Sequence, residues 1–352
     1  MTFIKEIAMK SMKQLAWIFG VAGTALLSLA LSSQAYSQSY PEIDFSSRPN
    51  YLPNNAISLT FDDAPDWNNT AQILDILRDK KVKATFFLNA ENWSSLSADS
   101  AMQDLVRRMV NEGHELANHS SHHLHIASLT DSEIEAELSS VETAVQSILG
   151  PKAPRLTLFR APFGEPYQLS DVNNRSSDYL RVAPIIAKHA VHVGWAIDAF
   201  DYNCPNGECV INNVVSKIKT PGTGDYGSVL LHSVHAQTVE GLPGLIDYIR
   251  NNGFQFWTTE QLVKARYGKS SAELVDGGSS KPVSASPPVK PTQPNQPASS
   301  DCDSAAWTQG KWYNVGDKVV YNDQVFTAQN EPNPGYDPII SYWFWAAGPK
   351  CN

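Results

Sequence analysis

Five places in the chain hold the residue types that hydrolysis of an acyl group requires. Asp62-Asp63-Ala64-Pro65 sets two carboxylates side by side, and Asn118-His119-Ser120-Ser121-His122-His123 sets histidines about one helical turn apart. Arg160-Ala161-Pro162-Phe163-Gly164 carries a guanidinium, Asp198-Ala199-Phe200-Asp201-Tyr202 adds two carboxylates, and His232 ends an apolar run. One carboxylate and two neutral imidazoles suit Zn2+ and leave a position for water. Zinc would bring the pKa of that water to about 7 and polarise an acyl oxygen. The second carboxylate is then available as a general base, and His232 as the proton donor to a leaving amine. His119 and His123 are four apart, so one helical turn puts both on one side. Spacing alone does not separate His123 from His122.

Each motif also has an ordinary reading. A pair of aspartates is commonly a solvated turn, a histidine-rich loop is commonly non-ligating, Arg160 would serve as a surface ion pair, and His232 as a satisfied core histidine. What argues against all of these together is where the motifs fall. The apolar runs Ile57–Phe61, Ala84–Leu88, Glu115–Ala117, Leu156–Phe159, His192–Trp195, Ser228–Leu231 and Phe254–Trp257 read as short strands. Amphipathic stretches at Thr70–Lys80, Met102–Glu112, Asp131–Leu149, Val210–Lys219 and Val239–Asn251 read as helices between them. Thr130 with Glu133 forms a capping box and Gly150-Pro151 a stop. Strands separated by helices imply parallel crossover units, here a barrel or strongly curved α/β sheet, with an open doubly wound sheet as the alternative. Polar groups follow five of the seven expected strands, all at the C-terminal end where barrel chemistry gathers. For Asp62 and Asp63 to serve one pocket the strand must end at Phe61, because neighbours on a regular strand face opposite ways.

These residues resemble the five ordered motifs of the polysaccharide deacetylases, the NodB-homology group or carbohydrate esterase family 4. The resemblance spans nearly the whole stretch from Tyr51 to Gly268. It implies a distorted (β/α)7 barrel that removes acetyl groups from a glycan. Carried over residue by residue, it makes Asp62 the base and Asp63, His119 and His123 the ligands of one Zn2+, with Co2+ as another activating ion. It makes Arg160 the residue that orients Asp62, and His232 the acid with Asp201 tuning its pKa. It further implies that the backbone N–H of Phe163 stabilises an oxyanion, that Leu231 packs on the acetyl methyl, and that Tyr202 shapes the groove in place of a usual tryptophan. Ala64 stands where glycine is usual and Ser233 where aspartate is frequent. His235 is read either as supporting His232 or, preferably, as capping the helix that follows.

Length suggests two domains for 352 residues. Lys5, Lys10 and Lys13 precede an uncharged run from Leu15 to Leu31, and Ser33-Gln34-Ala35 supplies small residues, so residues 1–35 read as a signal peptide, the rival being an uncleaved anchor. That places the protein in the periplasm or outside the cell. The four cysteines then read as two disulfides, Cys204/Cys209 and Cys302/Cys351, since neither pair shows the CxxC spacing of a zinc knuckle. The net charge of −9 argues against a nucleic-acid partner. From Lys269 to Ser300 the chain is rich in Ser, Pro and Gly and reads as a linker.

Asp301–Asn352 is too small for a robust core and gains stability from the expected bridge. It is dense in aromatics, of which Trp307, Tyr313 and Phe326 read as core. It resembles the small chitin-binding modules of carbohydrate-binding families 5 and 12, a resemblance carried by Ala306-Trp307, Tyr313-Asn314, Gly316-Asp317, Phe326-x-Ala328, Trp345 and Cys351. Gln329-Asn330 stand where that family often has an aromatic pair, so Tyr342 and Trp343 are the expected sugar contacts. The combined expectation is a monomeric deacetylase of chitin or chitooligosaccharides that has no membrane contact once the signal peptide is cleaved. A peptidoglycan deacetylase and an acetylxylan esterase share the chemistry, and a chitin-binding protein with an inactive barrel is the non-enzymatic alternative.

Overall fold

The computed structural model describes residues 40–93, 95–171, 174–275, 302, 304–308, 311, 313–328, 338 and 345–351. In chain order the first domain runs β1 (Glu42–Ile43), β2 (Ala56–Ala64), α1 (Thr70–Lys80), β3 (Thr85–Leu88), α2 (Ser100–Asn111), β4 (Glu115–Asn118), α3 (Asp131–Leu149) and β5 (Leu158–Phe159). It continues with α4 (Ser177–Ile186), β6 (Val191–Val193), β7 (Ile197–Asp198), α5 (Gly207–Ile218), β8 (Gly227–His232), α6 (Ala236–Asn251), β9 (Gln255–Phe256), α7 (Thr259–Tyr267) and α8 (Ser271–Leu274). The order across the sheet is β1-β6-β5-β4-β3-β2-β8-β7, parallel throughout, with β9 paired to the start of β2. Every residue of β2 is buried, as expected of a parallel strand covered on both faces.

This is a curled parallel sheet that stops short of closing. The chain leaves β6 near one edge and enters β7 at the other, with only Gly194–Ala196 between them. Four residue steps reach at most about 14 Å, so the two edges lie close together although no ladder joins them. Arg160 lies at this seam, its Nε and Nη2 donating to the carbonyls of Val193 and Gly194 at 2.9 and 3.3 Å.

The seven-strand reading therefore gains two short strands. His192–Trp195 was one expected strand, and the chain instead forms β6, breaks at Gly194, and starts β7 on the opposite edge. Two further elements lie outside the stretch from Tyr51 to Gly268. β1 pairs with β6 at Glu42↔His192 and Ile43↔Val193. At the other end α8 carries its own capping box, and buried Ser271 bonds Thr157 and Glu260. Composition misses both because each is too short to show a period. The α3 capping box forms as the sequence requires, Thr130 and Glu133 each satisfying the other's backbone N–H.

The C-terminal region forms an antiparallel sheet of β10 (Lys318–Tyr321), β11 (Gln324–Ala328) and β12 (Trp345–Lys350). The Cys302–Cys351 and Cys204–Cys209 bridges are both present, with Cα separations of 5.6 and 5.5 Å. Tyr313, Phe326 and Trp345 are buried, the first and last with ring centroids 5.0 Å apart. Trp307 is half-buried, packed against this cluster and edge-on to Tyr321. Tyr342 and Trp343, the signal peptide and residues 276–300 of the expected linker lie outside the described residues. Among the described residues no helix is long and apolar enough to cross a membrane.

Candidate active site

The carboxylate pair reaches one pocket by a route the sequence reading did not anticipate. The strand does not end at Phe61; β2 continues to Ala64. Its pairing with β3 shifts register between Phe61 and Ala64, and Asp63 is left-handed at φ 64°. This local irregularity turns Asp63 to the face of Asp62, which a regular pleat would forbid. The left-handed residue is Asp63 rather than Ala64, so alanine fits where glycine is usual.

Both carboxylates are nearly buried, Asp62 at 3% exposure and Asp63 at 5%. Arg160, fully buried on the segment after β5, donates from Nη1 to Asp62 Oδ1 at 2.7 Å and to Thr60 Oγ1 at 2.9 Å. Its guanidinium also lies over the Phe87 ring, 4.2 Å from the centroid. Asp62 is thereby fixed by one oxygen. Its other oxygen stands 3.6 Å from His119 Nε2.

The histidine loop follows β4. His119 and His123 present Nε2 atoms 3.7 and 3.5 Å from Asp63 Oδ1. His119 Nδ1 lies 2.8 Å from the Arg160 carbonyl, so Nδ1 carries the proton and the Nε2 lone pair faces Asp63. His122 turns the other way. Its Nδ1 lies 2.6 Å from Glu137 Oε1 on α3, and its N–H donates to Glu137 Oε2 at 2.8 Å. The choice between His122 and His123 is thus made by the buried acid on α3. Asn89 braces the loop by donating to the carbonyls of His119 and Ser120 at 2.8 and 2.9 Å.

Asp63, His119 and His123 together offer donor atoms that all lie within 4.8 Å of one another. Asp63 Oδ1 is buried without a hydrogen-bond donor. Burial pushes its carboxyl up to about 7, with the neighbouring Asp62 and Asp201 charges adding to the effect and His232 opposing it. Burial also holds His119 and His123 below the ordinary imidazole value, so their lone pairs are available. An orphaned buried anion flanked by two neutral imidazoles fits a divalent cation.

The opposite wall is built by β8 and the turn after β7. His232 Nδ1 lies 2.8 Å from Asp201 Oδ1, and the His232 N–H donates to Asp201 Oδ2 at 2.7 Å. Burial would lower His232, but the Asp201 charge outweighs it, with Asp63 and Asp62 contributing, and His232 rises to about 10. Burial would likewise raise Asp201, yet His232 and its hydrogen bonds bring it down to about 2. Thr238, in the first turn of α6, donates from Oγ1 to Asp201 Oδ2 at 2.6 Å, and Gln237 Nε2 donates to the Asp201 carbonyl at 2.7 Å. Neither was expected. The available signal was two polar residues opening the helix that directly follows His232.

Two expectations on this wall fail. Leu231 is fully buried in the main core, and Leu230 lines the cleft instead. Side chains alternate along β8, so the residue sharing the face of His232 is two back, not one. His235 occupies the position before α6 but makes no side-chain cap bond. Its ring stands 5.6 Å from that of His232, and burial lowers it to about 4.

The cleft between the walls has a volume of about 790 Å³ and contains Asp62, Asp63, His119, His123, Phe163 and His232. Phe163 is left-handed at φ 60°, its ring 4.7 Å from that of His123 and stacked on His125 at 4.1 Å. Tyr202 places its ring edge-on to His232 at 5.5 Å. Asp63, Ser120, His123, Phe163 and Phe200 make five of the nine left-handed non-glycine residues described, so backbone strain collects at this cleft.

A family model for polysaccharide deacetylases matches residues 50–181, which hold Asp62, Asp63, His119, His123 and Arg160. Over 221 residues the chain is 30% identical to a peptidoglycan-N-acetylglucosamine deacetylase of Bacillus cereus, covering 61% of this chain and 92% of that one. The chain belongs to the polysaccharide deacetylase family. It is also 34% identical over 189 residues to a chitin deacetylase of Pestalotiopsis, covering 53% of this chain and 56% of the relative. The solved structure of the chitin deacetylase from Colletotrichum lindemuthianum superposes with a TM-score of 0.50 at 28% identity, covering 62% of this chain and 90% of that chain. Asp201 and His232 lie beyond the span of the family model, and their assignment rests on the geometry above.

Proposed function

We propose that this carbohydrate deacetylase removes the N-acetyl group from N-acetylglucosamine units of chitin or chitooligosaccharides, releasing acetate. The observation that carries the reaction is a carboxylate and an imidazole lining one cleft, each held by a fully buried partner of opposite charge. Arg160 pairs with Asp62 at 2.7 Å, His232 is held protonated by Asp201, and the Asp63–His119–His123 set lies beside Asp62. A divalent ion held by those three residues, Zn2+ or Co2+, would supply Lewis-acid activation of water and of the acyl oxygen.

Asp62 takes a proton from the attacking water through the oxygen that Arg160 leaves free. The acetyl carbon becomes tetrahedral, and the N–H of Phe163 is the chain's own donor for its oxygen. His232 passes its Nε2 proton to the amide nitrogen, the C–N bond breaks, and the amine stays on the sugar. Asp201 keeps Nδ1 protonated, so Nε2 is the atom that gives the proton. Leu230 and Val234 line the cleft and give the acetyl methyl an apolar wall.

The chitin reading is supported by the chitin deacetylases among the relatives and by the aromatic C-terminal region, which would concentrate the enzyme on that polymer. The B. cereus relative supports peptidoglycan as the second reading. Acetate release from N-acetylglucosamine oligomers, cell-wall peptidoglycan and acetylated xylan, measured side by side with Zn2+ supplied, separates them. Release from peptidoglycan or xylan alone would overturn the chitin reading. No release from any of the three would favour a binding protein with an inactive barrel.

A further inference from the structure

Among the described residues five large apolar side chains are exposed: Leu169, Leu180, Phe200, Tyr202 and Val315. Only the two aromatics, Phe200 and Tyr202, line the cleft. A scattered exposed hydrophobe needs no explanation, but Phe200, 40% exposed, is held in place by several contacts. Its backbone is left-handed at φ 48°, a conformation unfavourable for a bulky side chain. The turn is fixed by its own N–H, which donates to Asp198 Oδ1 at 2.8 Å. Asn213 of α5 donates to the Ala199 carbonyl at 2.9 Å, and the Cys204–Cys209 bridge follows directly. The Lys217 ammonium, which also lines the cleft, sits 4.9 Å from the ring centroid. The ring is thus held beside a cation in the wall of the cleft.

The three rings His232, Tyr202 and Phe200 form a file with centroid spacings of 5.5 and 6.0 Å. The file begins at the group that protonates the sugar nitrogen. The face of a pyranose is a patch of C–H groups, the chemistry that an exposed, pre-positioned aromatic face accepts.

We propose that Phe200 is the stacking platform of a further sugar-binding subsite, taking the pyranose next to the one that loses its acetyl group. This rests on the amino-sugar reading above.

The test compares Phe200→Asn and Phe200→Trp with the native full-length protein. Asparagine tolerates the left-handed backbone, so it removes the ring without adding strain. Substrates are an N-acetylglucosamine oligomer series and an aryl acetate, which has no second sugar. With Phe200→Asn, kcat/KM on oligomers falls about tenfold or more, the scale for losing a buried phenyl contact. On the aryl acetate it stays within about twofold, and Phe200→Trp retains oligomer turnover. Lys217→Met, which removes the cation beside the ring, loses part of the oligomer preference. Equal losses on both substrates, or none on either, overturn the platform. If the native protein releases no acetate from amino-sugar oligomers, the substrate reading fails. The same variants on whichever acetylated glycan is turned over then decide Phe200 separately.

Discussion

Replacing Asp201 with asparagine separates the acid half of the site from the rest. The native carboxylate accepts from His232 Nδ1, the His232 N–H, Thr238 Oγ1 and the Tyr202 N–H at 2.8, 2.7, 2.6 and 3.1 Å. Its charge is what overcomes burial and lifts His232 to about 10. An amide keeps one acceptor oxygen and no charge, so His232 falls back to its ordinary value near 6.5 or below it. A proton donor works only when protonated, so its limb of the rate profile falls as pH rises through its pKa. That limb moves down by about three units or more. At pH about 8.5 only about 1% of the variant's acid is protonated, a loss of about a hundredfold, whereas at pH about 5.5 this effect is within a few-fold of native. The assay is kcat/KM for acetate release against pH, with the melting temperature of both proteins as a control. An aryl acetate, whose leaving group needs little protonation, is turned over at a nearly native rate. A uniform loss at every pH, or a descending limb that does not move, would refute the role given to the Asp201–His232 pair.

The other half of the site gives further expectations. Asp62→Asn lowers turnover by about 10²–10⁴-fold while metal analysis still finds one ion per chain; an active variant contradicts the base assignment. Asp63→Asn loses the ion on dialysis that native protein retains, and unchanged stoichiometry would remove Asp63 from the ligand set. Arg160→Met strands the buried Asp62 charge and costs about 3–5 kcal/mol, visible as a lower urea midpoint; an unchanged midpoint would show that another group compensates Asp62. Changing Cys302 and Cys351 together to serine releases a link between residues 49 apart, worth about 4 kcal/mol in the chain-entropy model. Faster hydrogen exchange confined to β10–β12, with oligomer turnover intact, is the expected result, and unchanged exchange there would show that the three-stranded sheet stands without the bridge.

Much of this protein was determined by sequence alone. Alternating apolar runs and amphipathic stretches imply a parallel α/β sheet, because only crossover helices join parallel neighbours. Reactive residues that follow successive strands must then meet at one end, so the clusters at Asp62-Asp63, His119–His123, Arg160, Asp198–Asp201 and His232 stood out before their distances were known. Local rules sufficed for the α3 capping box and for both cysteine pairs. What local rules could not reach was side-chain direction and long-range pairing. A one-residue irregularity in β2, not the end of the strand, brings Asp62 and Asp63 to one pocket. Glu137, on a helix fifteen residues away in sequence, draws His122 off and leaves His123 to face Asp63. Strand alternation puts Leu230 in the cleft and Leu231 in the core. Gly194 lets the chain cross the open seam between β6 and β7, a step that no periodicity records. The pKa values of His232 and Asp201 likewise belong to the fold, since a short contact in a buried place sets them. The chemistry is written in residue types and their order, while the assignment of each job to one atom depends on which face that atom is turned to.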